Sequence, residues 1–120
     1  MTTKAVQRGD VLDWTNGGSA KTSGAPVEAK HTLGVALTDI AGGATGAVAI
    51  EGVYVMPKVA AAVFVVGEKL IWDTSAQAFD DSAATPATGD ITGAAIAMVA
   101  GAADETTCTV KLTPGNATLT

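Results

Sequence analysis

The sequence predicts an all-β domain: a small β-sandwich or β-barrel (jelly-roll-like) of about 8–10 short strands. Three observations predict it. Ala (24), Thr (17), Gly (14) and Val (13) supply 68 of the 120 residues. Thr and Val are β-branched and suit a pleated surface, while Gly marks turns and bulges. Apolar and polar residues alternate in short runs separated by Gly-, Pro- and Asp-containing turns. Ala, the one abundant helix former, sits in short Gly-broken runs without helical spacing.

The elements follow in chain order. Residues 1–8 are polar and predict an extended N-terminal arm, and residues 9–113 a single β-domain. The Gly9-Asp10 turn launches a strand with Leu12 and Trp14 two apart, hence on one face. Residues 27–30 alternate. Residues 32–38 form a strand with Leu33, Val35 and Leu37 on one face. Residues 41–46 are a Gly-rich turn. Residues 47–56 alternate again, with Gly52 as a bulge beyond which Val53 and Val55 resume the pattern. Pro57 ends that strand. Residues 59–66 fit a buried strand or a helical turn through three alanines. Gly67-Glu68 launches a second strand with Leu70 and Trp72 two apart. Residues 77–90 have little to bury and read as a surface loop or poorly paired hairpin. Residues 91–100 form a buried strand, and 106–112 point Cys108, Val110 and Leu112 inward. Residues 114–120 read as a C-terminal tail.

The chain divides into two pseudo-repeated halves, 9–56 and 67–112. Gly9-Asp10-Val11-Leu12-Asp13-Trp14 matches Gly67-Glu68-Lys69-Leu70-Ile71-Trp72 at an offset of 58 residues, and 34–42 matches 93–101 at an offset of 59. The shared pattern makes Leu12, Trp14, Leu70 and Trp72 the expected core anchors, one indole per half. Ligand stacking on an exposed indole is the alternative role for either tryptophan. With so few large side chains the core is thin, so added stability is expected from a partner or from copies of the chain.

Charge and chemistry exclude several functions. The net charge is −5 and the seven basic residues are scattered singly, which argues against nucleic acid and anionic membranes as partners. The single cysteine, Cys108, forbids an intrachain disulfide. The N-terminus lacks the apolar core of a signal peptide, and no apolar run approaches the roughly 20 residues of a membrane helix. Synthesis in a reducing cytoplasm is therefore expected. One histidine, His31, and one cysteine do not assemble a nucleophile–base pair. Asp73, Asp80 and Asp81 lack the ligand spacing of a calcium loop. The stretch 17–22 lacks the Gly-Lys pair and following helix of a phosphate loop. No catalytic, cofactor or metal residue is expected, and the chain is not predicted to be an enzyme.

Taken in order, residues 9–16, 33–41 and 46–53, then Pro57-Lys58, then 67–73 resemble the capsid cement (decoration) proteins of tailed bacteriophages and prophages, from Val6 to Leu112. Members are often labelled as RecA/RadA-family recombinases, a label this sequence opposes, having no phosphate loop and no basic DNA path. The resemblance implies a non-enzymatic virion protein on the outer capsid surface, made in the host bacterial cytoplasm. It would cement neighbouring major capsid protein subunits, as a dimer or trimer. The N-terminal residues Thr2, Thr3, Lys4, Ala5 and Val6 are the expected capsid contacts, with 114–120 as a further candidate. A tail or baseplate module and a sugar- or ligand-binding β-domain are the alternatives; the latter would show an exposed tryptophan beside convergent polar groups.

Overall fold

The computed structural model describes residues 3–120, and among these ten strands form two antiparallel sheets without any helix. The first sheet holds β1 (Val11–Thr15), β2 (Pro26–Ala29), β3 (Thr32–Ala36) and β4 (Thr45–Ala49), in the order β1-β4-β3-β2. The second holds β5 (Gly52–Pro57), β6 (Lys69–Asp73), β7 (Ala78–Asp80), β8 (Ile91–Ala97) and β9 (Thr107–Leu112), in the order β5-β9-β8-β6-β7. A short β10 (Thr118–Leu119) also pairs with β8. The second sheet curls into a half-barrel. Its ends meet where Val59 N donates to Phe79 O at 2.9 Å, beside a parallel bridge between Lys58 and Phe79.

The fold class is as the composition predicts, and the departures have local causes. The chain does not bulge within one strand at 47–56. It changes sheets there: β4 ends at Ala49 and β5 begins at Gly52, whose φ of 118° suits only glycine. The switch reverses the face expected beyond it. Met56 is buried and Tyr54 partly buried, while Val53 and Val55 face outward. Residues 59–66 are neither strand nor helical turn. They form an irregular loop that buries Ala62 and Phe64, and Phe64 bridges Gly101. A Cβ at Gly101 would lie 2.5 Å from the Phe64 ring, so glycine lets the ring sit on the backbone.

Residues 77–90 include β7, whose Ala78 and Phe79 are buried. Phe79 meets Trp72 edge-on, with ring centroids 4.9 Å apart at 76°, a favoured aromatic geometry. Residues 114–120 supply β10 rather than a free tail. Gly89 N donates to Thr120 O at 2.8 Å and Thr120 N to Asp90 O at 2.9 Å. β3 stops at Ala36, which leaves Leu37 exposed, and β8 stops at Ala97, which leaves Met98 and Val99 exposed.

Two clusters of unequal size fill the molecule. The larger lies inside the curled sheet and includes Met56, Phe64, Leu70, Trp72, Phe79, Ile91, Val110 and Leu112. β3 contributes to it from the first sheet through Leu33 and Val35. The smaller holds only Val27, Ala36, Ile40 and Val48, with Trp14, Ala29 and Ile50 partly buried against it. β3 thus serves both, one face per cluster, as strand alternation allows. Burying an indole such as Trp72 contributes about 4–6 kcal/mol at ~25 cal/mol per Å2, so the larger cluster carries most of the stability.

Candidate functional site

Three surfaces stand out once the core is subtracted. The first is the N-terminal arm. Of its expected contact residues, Thr2 lies outside the described residues. Thr3, Lys4, Ala5 and Val6 are all exposed, and Val6 is 90% exposed. The arm is fastened only near its base, where Gln7 Nε2 donates to Val11 O at 2.8 Å and Arg8 meets Asp10 at 3.3 Å. Both contacts are exposed and hold the arm weakly.

The second surface is apolar and belongs to the second sheet. Val53 pairs with Lys111 and Val55 with Thr109 across β5 and β9. Met98 N donates to Thr109 O at 3.0 Å, which places Met98 in the same row as Val55 on the outer face. Hydrogen bonds from Phe64 N to Gly101 O and from Gly67 N to Ala97 O run the 64–67 segment alongside 97–101. Val65 and Val66 therefore adjoin Met98 and Val99. Val55 and Val66 are 70% and 66% exposed. Single exposed valines are unremarkable, but Val65, Val66, Met98 and Val99 group into one apolar patch, with Val53 and Val55 on the far side of Thr109 and Lys111 of β9, and grouping of this kind suits an interaction surface. Alternation along the sequence concealed it, because valines at 53 and 55 look like core until the Gly52 switch is known.

The third is a cleft beside Trp14 and Glu28. Glu28 Oε1 accepts from Trp72 Nε1 at 2.7 Å, Thr74 Oγ1 at 2.8 Å and Gln77 Nε2 at 2.8 Å. This one carboxylate ties β2 to the β6–β7 hairpin across the two sheets. The expected core anchors divide here: Leu70 and Trp72 are fully buried, whereas Leu12 and Trp14 are half-buried. Glu28 carried no motif in the sequence, so its role as a hub was not visible there.

Other polar groups are occupied structurally. Asn16 is buried and satisfied: its amide donates to Ser19 O and Ile40 O, and its carbonyl accepts from Gly18 N. Lys58 is buried, and its Nζ donates to the carbonyls of Val59, Ala60 and Glu105 at 2.9, 3.1 and 3.3 Å. It fastens the loop after β5 to the loop before β9. Asp73 accepts from the Ser75 hydroxyl and from the Ser75 and Ala76 amides, which hold its carboxyl below the ordinary range. Burial pushes the Cys108 thiol up to about 11, the reverse of an activated nucleophile. His31 is exposed in the turn between β2 and β3.

A family model described as phage cement protein matches residues 6–112. No curated protein and no solved structure matches the chain.

Proposed function

The chain belongs to the phage cement protein family, a family with a structural role in the phage capsid, and on that premise we propose that it binds the outer surface of the shell and cements neighbouring major capsid protein subunits. The observation that carries this reading is the exposed apolar patch of Val65, Val66, Met98 and Val99, flanked across β9 by Val53 and Val55. An apolar surface of this kind on an otherwise acidic, polar protein gains free energy when covered. The arm at 2–6 is a second contact: its residues 3–6 are exposed, and fully extended it spans roughly 17 Å. Many copies on a symmetric shell convert modest individual contacts into strong total retention. Self-association as a dimer or trimer, and synthesis in the host cytoplasm, belong to the same proposal.

Co-sedimentation with expanded, undecorated capsids tests it. Val55→Asp with Val66→Asp is expected to abolish decoration, and deletion of residues 2–6 to weaken it, with both variants still folded by circular dichroism. Full decoration by both would remove the proposal. Retention by the valine variant and loss by the truncation would move the contact to the arm alone.

A further inference from the structure

Trp14 and Glu28 line two adjoining depressions of about 590 Å3 and 300 Å3. Lys30 and Thr74 border the larger, and Lys21 and Gln77 the smaller. The fold places these residues from opposite directions. β1 and β2 are the two edges of the first sheet, and Thr74 and Gln77 come from the turn between β6 and β7.

Three features define what fits there. Glu28 is fixed in position. Its Oε1 takes the Trp72, Thr74 and Gln77 donors, whereas Oε2 receives only the Thr74 hydroxyl at 3.0 Å. A carboxylate oxygen accepts more than one hydrogen bond, so Oε2 keeps acceptor capacity on a side chain that cannot swing away. Trp14 is only partly covered by the small cluster and presents the rest of its indole to both depressions. Lys21 and Lys30 supply ammonium donors, one in each depression. Among the described residues the only ion pair is Arg8–Asp10, so neither lysine is neutralised by a carboxylate.

A fixed acceptor, an indole surface and flanking donors complement a ligand with one face of C–H bonds and a rim of hydroxyls. That is the chemistry of a pyranose ring. We infer that the Trp14–Glu28 cleft is a saccharide-binding site. The sugar ring stacks on the Trp14 indole, a hydroxyl donates to Glu28 Oε2, and Lys21 and Lys30 donate to the hydroxyl rim; with Glu28 in both depressions and a net charge of −5, neutral sugars are favoured over sugars bearing carboxylates. Binding is non-covalent throughout. The site is separate from the apolar patch, which lies on the second sheet, and does not depend on the capsid contact. A capsid protein carrying it would give the particle a weak, many-fold affinity for polysaccharide.

The test uses the full chain, 15N-labelled, titrated with hexagalacturonate and with cellohexaose. Cellohexaose is expected to move the Trp14 Nε1–H resonance saturably at millimolar concentration, with hexagalacturonate, repelled by Glu28 and the net charge of −5, binding several-fold more weakly at low salt. Trp14→Ala should weaken binding roughly tenfold, and Trp14→Phe should recover most of it. Lys21→Gln with Lys30→Gln should weaken cellohexaose binding several-fold and widen its lead over hexagalacturonate. Trp14→Phe should still decorate capsids fully, which separates this site from the proposed shell contact. A Trp14 resonance unmoved by both probes overturns the inference, as does equal binding by Trp14→Ala and the unaltered chain. Should Trp14→Ala fail to fold, the Trp14 Nε1–H resonance of the unaltered chain decides the matter, a saturable shift supporting the site and no shift overturning it.

Discussion

Strand β1 carries Leu12 and Trp14 two residues apart after a Gly-Asp turn, and β6 carries Leu70 and Trp72 at the same spacing after a Gly-Glu turn. The first pair is half-buried and the second is completely buried. The difference lies in position. β1 is the edge of its sheet, paired only with β4, over a cluster of four small or medium side chains. β6 lies between β7 and β8, over the large cluster. The acids differ in the same sense. Asp10 meets only the exposed Arg8, whereas Glu68 accepts from the Ser82 amide and hydroxyl at 2.9 Å and from Val65 N at 3.2 Å. Spacing decides which side chains share a face; the neighbouring strands decide how deep that face lies. The matched strands also enter different orders, β1 beside β4 but β6 beside β8 and β7.

Truncating the two tryptophans should separate the regions most. Trp72→Ala opens a cavity in the large cluster and is expected to cost about 3–5 kcal/mol, whereas Trp14→Ala should cost about 1–2 kcal/mol. Urea denaturation followed by circular dichroism measures both, and equal losses would break the comparison. Next in size is Glu28→Ala. It leaves Trp72 Nε1, buried in the core, without its acceptor and should cost about 1–3 kcal/mol, with Glu28→Gln milder. A wild-type urea midpoint for Glu28→Ala would show that the sheets do not need this tie.

A smaller effect is expected at Cys108. Burial raises its thiol from 9.0 to about 11, so the folded state favours the protonated form. That contribution is whole below 9.0 and is lost as pH rises through about 11. Iodoacetamide should label the folded chain far more slowly than the urea-unfolded chain at neutral pH. The smallest effect is at the acid end. The Ser82 amide lowers the Glu68 carboxyl, and the Ser75 hydroxyl lowers that of Asp73. Their contribution is present above ordinary carboxylate values and fades as pH falls through the lowered ones. Both groups are only partly buried and screened by solvent, so Glu68→Gln should flatten the acid limb of the urea midpoint only slightly.

Composition and alternation sufficed for the fold class, the inward set Cys108, Val110 and Leu112, and the turn before each tryptophan. They failed where long-range pairing decides. Residues 77–90 look polar, yet Phe79 is buried because Trp72 supplies an edge-on partner. Residues 114–120 look like a tail, yet β9 pairs with β8 only at Ala95–Ala97, so the side of Ile91 and Thr92 away from β6 is open for β10 to occupy. The apolar patch was hidden because period-two reasoning cannot tell which face is inward once the chain changes sheets. Lys58 follows Pro57, but its three carbonyl partners come from two loops far apart in sequence.

The sheet change at Gly52 has a consequence for how the chain is built. β5 departs from the first half of the sequence and pairs with β9, so that Gly52 lies opposite Leu112 and Pro57 opposite Thr107. On the ribosome, β5 must wait with its ladder open until Thr107–Leu112 have emerged. The small cluster can close among residues 14–50, but the large one cannot close before β9 arrives, and the curled sheet should therefore form late and slowly.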